Sequence, residues 1–379
     1  MSKKFDIIIL GAGCAALNFA MAYAQNNLKQ SILILEQKNS YVHDRYWSFW
    51  LGRDQDFPHR DILKACWPRW SFSDCKNEVI HHSDAYEYVT ISSDDFYKKA
   101  QNIIQQDPRQ NLTMGCTVQE ITQSGSSEIT TNKGAFQADV IIDTRNISNE
   151  SIQERSSYYQ IFYGYEITVE DAFFDEKTVG LMDNLQTDKD GVSFIYTLPF
   201  SKTQALVEYT AFTKSYCPPE EYEMHLKRYL DEKLKGVAYN IVHREKAVLP
   251  MGALKANTMK YAQNYIHAGG SSGALRESSG YGFLRLHNWS INAVQLLESG
   301  GGIKPYQNKS RINGFMDRHF VKTLKNNPAL SAQIFMCLAR RCKTDAFVRF
   351  MSEQHNFIDT LQIIWAVPKT QFLKALFQK

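Results

Sequence analysis

Residues 5–16 read Phe5-Asp6-Ile7-Ile8-Ile9-Leu10-Gly11-Ala12-Gly13-Cys14-Ala15-Ala16, and they decide the fold. Phe5–Leu10 is a continuous apolar run with three isoleucines, the composition of a strand buried on both faces of a parallel sheet. Gly11-Ala12-Gly13 breaks it, and Cys14–Gln25, rich in alanine and leucine, reads as a helix. A second apolar run, Ser31–Leu35, is closed by Glu36, which makes one β-α-β unit. Within it Gly11, Gly13 and Ala16 fit G-x-G-x-x-G/A. Gly11 permits the tight turn, Gly13 lets backbone N–H groups reach a pyrophosphate, and Ala16 keeps the helix close to the strand. A pyrophosphate so held sits at the helix N-terminus, where free N–H groups and the dipole attract anions. Glu36 is placed to accept from ribose hydroxyls. The motif itself serves FAD or NAD; a long insertion after it, followed by a late return strand, favours FAD.

Further along, Tyr86–Ile91 alternates like a strand and Asp94–Gln105 reads as an amphipathic helix. Strand candidates follow at Val118–Thr122, Glu128–Thr131 and Ala138–Asp143, the last returning into the parallel sheet. Tyr158–Phe212 is a succession of strand-like segments divided by turn residues, which predicts an antiparallel sheet. Tyr222–Leu234 and Ser290–Leu297 are helical, and the chain beyond Tyr306 is helical and basic. Between them Tyr265–Phe283 (YIHAGGSSGALRESSGYGF) forms a second glycine-rich strand-to-helix turn. Its Gly269, Gly273 and Gly280 are suited to bringing backbone N–H groups to the ribityl chain and ring of a flavin. The expected fold is α/β. A Rossmann-type FAD-binding domain takes residues 1–75, 105–150 and 260–300. An antiparallel substrate domain takes 76–104 and 151–259, and a helical C-terminal region takes 301–379.

A net charge of +3 is too small to point to nucleic acid as a partner. The seven cysteines are odd in number and scattered without a C-x-x-C pair, so a reducing compartment is expected, with no disulfide frame and no zinc site. The first strand begins within five residues, which argues against a signal peptide, and no apolar run approaches the roughly 18 residues of a spanning helix. These features predict a cytoplasmic protein that meets a membrane, if at all, from its surface. One such surface is suggested by Ile312, Phe315, Met316, Phe320 and Leu324, which recur near helical spacing amid Lys309, Arg311, Arg318, Lys322 and Lys325. The oligomeric state is not fixed by anything in the pattern. Arg45, nine residues beyond Glu36, is a candidate for neutralising a cofactor phosphate.

Several segments resemble the bacterial lycopene β-cyclases. Tyr46-Trp47-Ser48-Phe49 is similar to their T-W-S-F, and Trp67-Pro68 to a Trp-Pro pair that follows it. Val140–Arg145 (VIIDTR) is similar to V-I-D-G-R-G, Phe194–Pro199 (FIYTLP) to F-V-Y-S-L-P, Leu206–Thr210 (LVEYT) to L-I-E-D-T, and Ser279-Gly280-Tyr281 to T-G-Y. There are departures: Thr144 and Asn146 replace two glycines, Tyr209 replaces a second acid, and Arg276-Glu277 stands where the family has His-Pro.

The resemblance implies an acid-catalysed cyclisation of an apolar polyene with no net redox change, requiring FAD in its reduced form, with NAD(P)H as a possible source of electrons. Glu208, which interrupts an otherwise apolar strand, is then the proton donor, since burial keeps a carboxyl protonated near neutral pH. Glu277, on the turn expected against the flavin ring, is a second candidate, and Asp183 matches an acid of the family's I-M-D. Asp143 ends the strand nearest the cofactor. Trp47, Phe49, Tyr165, Tyr196 and Tyr281 are candidates to line the cavity and offer π faces to a carbocation. The competing expectations are a flavin monooxygenase or reductase consuming NAD(P)H on another hydrophobic substrate, and a flavin-retaining binding protein without activity.

Overall fold

The computed structural model describes residues 2–124, 126–255, 264–307 and 310–377. Strands and helices are numbered in chain order. The first sheet has the order β8-β2-β1-β11-β10-β9. Its strands are β1 (Lys3–Leu10), β2 (Ile32–Leu35), β8 (Gln110–Thr113), β9 (Val118–Ser124), β10 (Ser126–Thr131) and β11 (Gly134–Asp143), with β17 (Tyr265–His267) on the far half of β11. Registers decide what this sheet can do. β1 runs parallel to both β2 and β11, with Leu10 opposite Leu35 on one side and Asp143 on the other, and β17 sets His267 beside Asp143. Gly11, Glu36, Thr144 and Ala268 therefore leave the sheet along one carboxyl edge, where open α/β sheets bind ligands. Helices α1 (Cys14–Ala24), α2 (Ser93–Gln106) and α5 (Phe283–Glu298) cover one face through Ala16, Ala20, Phe96, Ala100 and Ala293.

The second sheet has the order β16-β12-β15-β14-β13-β5-β6. It comprises β5 (Arg69–Asp74), β6 (Glu78–His82), β12 (Tyr159–Val169), β13 (Thr178–Thr187), β14 (Gly191–Pro199), β15 (Gln204–Thr213) and β16 (Tyr239–Pro250). The short helix α3 (Asn149–Arg155) precedes β12, and helix α4 (Glu223–Leu234) packs Leu226, Leu230 and Leu234 on one face against Tyr163, Tyr165, Ile167 and Val207. The other face is roofed by α6 (Arg311–Asn326), α7 (Ser331–Arg341), α8 (Thr344–Met351), α9 (Phe357–Ala366) and α10 (Lys369–Phe377). A small sheet, β3 (Tyr46–Gly52), β7 (Tyr86–Ser92) and β4 (Leu63–Trp67), bridges the two large ones.

Three features differ from the sequence reading. Strands β5 and β6 already belong to the second sheet, since Arg69–Asp74 pairs with β13, so the crossover comes before residue 75. Helix α2 packs on the dinucleotide side through Phe96, Ala100 and Ile104 rather than on the substrate sheet. Third, the apolar stripe on α6 is mostly spent inside the protein: Leu324 is fully buried, while Met316 and Phe320 pack on the core. Only Ile312 and Phe315 of that stripe are exposed, and Lys309 lies outside the described residues.

Candidate active site

The glycine turn forms a cradle. Helix α1 begins with Gly13 as its N-cap and no side-chain cap, which leaves first-turn N–H groups unspent. Gly11 has φ +82°, a conformation that favours glycine, and a Cβ there would come within 3.3 Å of the Arg145 side chain. At Gly13 a Cβ would meet no described residue within 4 Å, which leaves the space in front of the helix end for a ligand. Glu36 is buried, accepting from the Ala12 N–H at 2.7 Å and the Lys38 N–H at 2.9 Å. Those two bonds lock its carboxylate beside the turn and leave further lone pairs for ribose hydroxyls. Asp143 does not face the cradle freely. Its carboxylate accepts from Arg145 at 2.7 and 2.9 Å and from the Tyr265 hydroxyl at 2.5 Å, so its visible work is to lay Arg145 over Gly11. On the late glycine segment, Gly269 (φ +87°) passes 3.2 Å from the Thr144 carbonyl by its would-be Cβ, and Gly273 faces open space. This donor set, with its open backbone and one oriented acid, fits FAD.

Beyond the cradle lies a cavity of about 850 Å³ between the second sheet, the small sheet and the C-terminal helices. Its sheet side carries Phe162, Phe194, Tyr196, Glu208, Thr210 and Phe212; opposite stand Trp47, Trp50, Tyr88, Tyr281 and Phe347. Three phenols are chained, with Tyr88 sharing hydrogen bonds of 3.0 Å with both Tyr196 and Tyr281. Gly280, with φ +70°, lets the late loop lie on the sheet, since a Cβ there would meet the Gln160 amide oxygen at 2.7 Å and Leu249 at 2.8 Å.

Glu208 sits in this cavity wall, 6% exposed. Both faces of β15 are covered, one by α4 and one by the cavity, so its position on the strand does not carry it to solvent. Across the sheet, Gly164 of β12 lies between Glu208 of β15 and Glu245 of β16 in one row. The two carboxyls meet over the glycine and share a hydrogen bond. Burial, followed by the neighbouring Glu245, pushes Glu208 well above the usual carboxylate range, and burial raises Glu245 to about 7. Glu245 was not among the residues singled out from the sequence.

The other candidates separate. Trp47, Tyr196 and Tyr281 line the cavity. Tyr165 does not: it lies on the opposite face of β12, where its hydroxyl donates to Glu223 of α4. Phe49 is buried in a stack with Phe283, ring centroids 5.1 Å apart. Asp183 accepts from Ser71 and Ser73 at 2.8 and 3.2 Å beside an irregularity in β13 and does not line the cavity. Glu277 is also turned away, toward Arg318 of α6 at 3.3 Å, while its neighbour Arg276 is buried against Asp317 at 3.0 Å. Burial raises the Glu277 carboxyl, yet it stands outside the cavity wall. Arg45 lines the cavity, pairs with Asp44 at 3.3 Å, and acts electrostatically on both Cys14 at the start of α1 and Glu245. It stands between the cradle and the acid pair.

A dinucleotide cradle on one sheet and a large aromatic-walled cavity on the other define an FAD-binding flavoprotein of the two-sheet type. The family model described as lycopene cyclase protein matches residues 6–376, and the chain belongs to that family. The neoxanthin synthase of Solanum lycopersicum is 22% identical over 298 residues, a match covering 73% of this chain and 57% of that one, so the chain matches little more than half the length of this relative. A geranylgeranyl bacteriochlorophyll reductase-like protein from Thermoplasma acidophilum aligns over 99% of both chains, with a TM-score of 0.63 and 12% identity. The p-nitrophenol 4-monooxygenase of Pseudomonas putida aligns over 98% of this chain and 99% of that one, at 0.58 and 10%. These two likenesses are of fold.

Proposed function

We propose that this chain is an FAD-dependent enzyme that closes the end group of an apolar polyene into a ring by acid catalysis, without net redox change, in the manner of a lycopene cyclase. The observation that carries the reading is a carboxyl, Glu208, buried in the wall of a large aromatic cavity and held protonated there by its surroundings. The Glu208 proton adds to the terminal double bond, forming one C–H bond and a cation. A neighbouring double bond attacks that cation to form the ring C–C bond, and a C–H bond on the new ring breaks to return a proton to a carboxylate. Trp47, Trp50 and the phenols of Tyr88, Tyr196 and Tyr281 hold the chain and present electron-rich faces to the cation. The apolar walls exclude water, which would otherwise quench the cation as an alcohol. Gly11, Gly13, Glu36 and the late glycine loop would hold FAD, which in its reduced form would supply an electron-rich ring to stabilise that charge.

The fold comparison favours a second reading, since a reductase-like protein and a monooxygenase share this architecture along nearly their whole length. In it the same cavity holds a hydrophobic substrate that is oxygenated or reduced with NAD(P)H as electron source. Pigment analysis by mass spectrometry, in a lycopene-accumulating host expressing the chain, separates the two. A product of unchanged mass with fewer open ends, lost in Glu208→Gln, fits cyclisation; a product heavier by oxygen or by hydrogen, with stoichiometric NAD(P)H consumption, overturns it. In the cyclase reading Glu208→Gln should lower the rate about a hundred- to ten-thousand-fold, the usual span for a general acid, with FAD content unchanged.

A further inference from the structure

We propose that Glu208 and Glu245 act as one two-carboxyl unit across Gly164, in which Glu245 is the positioning residue that keeps the proton on Glu208. The inference rests on the reading of Glu208 as proton donor. Its geometry is specific. Strands β15, β12 and β16 place Glu208, Gly164 and Glu245 in register, and only the missing side chain between them lets the carboxyls touch. A Cβ on Gly164 would stand 2.7 Å from Cγ and 3.0 Å from Oε1 of Glu208. Two carboxyls in such contact within an apolar wall must share a proton, because two adjacent anions cannot both be held there.

The surroundings divide the charge unequally. Glu245 Oε2 accepts the Tyr46 N–H at 2.9 Å, and Arg45 lies near enough to favour its anion. Oε1 of Glu208 is buried without a hydrogen-bond partner among the described residues. The anion thus settles on Glu245 and the proton on Glu208. The other groups acting on the pair are Asp44 ahead of β3, the hydroxyl of Tyr46 beside Glu245, and the hydroxyls of Tyr88 and Tyr196 beside Glu208. Glu166 is occupied by the Tyr46 hydroxyl and the Gln204 amide, and Lys246 reaches out to Glu220. When the proton leaves for the substrate, the emptied pair is a strong base, suited to take a proton back from the ring cation.

The test is infrared titration of the FAD-loaded protein, following the C=O stretch of protonated carboxyls against pH. Wild type should keep a protonated-carboxyl band above the pH of about 7 at which Glu245 titrates, and Glu208→Gln should remove it. Glu245→Gln deletes the like charge and adds an N–H donor toward Glu208, so both changes favour the Glu208 anion. The titration midpoint should fall by a unit or more, and the alkaline limb of the activity profile should fall with it. Gly164→Ala, which wedges the carboxyls apart without altering charge, should move the midpoint in the same direction and serves if Glu245→Gln does not fold. A midpoint unmoved in both variants, or a band above the Glu245 titration that survives Glu208→Gln, overturns the proposal. The cyclase reading fails separately, in the pigment assay, whatever the infrared result.

A second inference stands on a different observation. We propose that α9 and α10 seat the protein on an anionic lipid bilayer. Phe357, Ile358, Leu361, Ile364 and Trp365 form one stripe on α9 and are 75, 64, 38, 47 and 65% exposed. The stripe is continuous with the cavity, since Ile364, Trp365, Leu373 and Phe315 are both exposed and part of its wall. Exposed Lys369, with its ammonium 3.3 Å from the Trp365 ring centre, and exposed Arg311 and Lys374 supply positive charge around it. An apolar mouth with an interfacial tryptophan and basic rim matches a negatively charged membrane surface, from which an apolar substrate can enter without crossing water. No described helix is long and apolar enough to cross a membrane.

Flotation on vesicles of phosphatidylcholine with one-third phosphatidylglycerol tests it. Wild type should float, more strongly than on phosphatidylcholine alone. The surface double variant Phe357→Ser/Trp365→Ser should lose at least tenfold in partitioning, with circular dichroism and FAD content unchanged. Absence of flotation, equal flotation of the double variant, or a dimer in solution dissolved by the same substitutions overturns the proposal.

Discussion

Gly13→Val separates the folding of the glycine turn from its binding of cofactor. Gly13 has φ −87° and ψ −165°, an extended conformation open to any residue, and a Cβ there meets no described residue within 4 Å. The valine therefore fits the protein itself. As an N-cap it is poorer than glycine, which should cost about 1 kcal/mol of stability. Its methyl groups enter the space from which N–H groups of the turn would contact a pyrophosphate. Hydrogen bonds to a charged group contribute about 1.5–3 kcal/mol each, so losing two raises the Kd for FAD by roughly 10²- to 10⁴-fold at 1.4 kcal/mol per decade. Gly11→Ala is the contrast. With φ +82° and Arg145 at 3.3 Å, it should destabilise the fold even without cofactor, by about 1–2 kcal/mol. Flavin absorbance after purification and fluorescence titration of apoprotein give the affinities, and urea unfolding gives the stabilities. A folded Gly13→Val protein retaining stoichiometric FAD would show that this turn does not hold the pyrophosphate.

Two further outcomes are expected. Arg276 is held by Asp317, by the carbonyls of Phe350 and Met351, and over the Phe350 ring, so it ties the late glycine loop to α6 and α8. Asp317→Asn strands that buried charge and should cost about 3–5 kcal/mol, whereas Arg276→Met/Asp317→Leu should recover most of it; urea midpoints showing the double variant less stable than the single would contradict this. The acid pair should make stability fall as pH rises. Both carboxyls have folded-state pKa values above their unfolded ones, so the folded protein holds protons that the unfolded chain has released. Stability is fully present below about pH 4.5 and is lost through about 7 for Glu245 and beyond it for Glu208. Glu208→Gln should therefore flatten the decline and be more stable than wild type at pH 8, and urea midpoints from pH 5 to 8 that rise in wild type would refute the sign.

What could be read from the chain, and what could not, divides along the range of the forces involved. The dinucleotide unit is legible because strand, glycines, helix and acid lie within about thirty residues, each signalled by its own neighbours. Glu277 misleads because its place on the late glycine turn does not say which way its side chain points. The tertiary structure instead brings two consecutive residues of α6 against the loop: Asp317 takes Arg276 and Arg318 takes Glu277. Tyr165 misleads for another reason. Where both faces of a sheet are covered, alternation names two faces but not which one meets the cavity, and α4 claims the phase of Tyr163 and Tyr165. Glu245 had a signal that went unused. In Tyr239–Pro250 Arg244 and Lys246 are exposed, and after the bulge His243, Glu245 and Ala247 take the opposite phase, beside Glu166, Gly164 and Phe162 of β12. An acid buried on that phase needs a partner. Gly164, alone in the middle of YQIFYGYEITV, marks a strand position where something approaches closely. What strikes that glycine is the Glu208 side chain, and sheet order alone, with β12 between β15 and β16, turns a lone candidate acid into a pair. No local pattern contains that order, because it is set by which strands meet across eighty residues of chain.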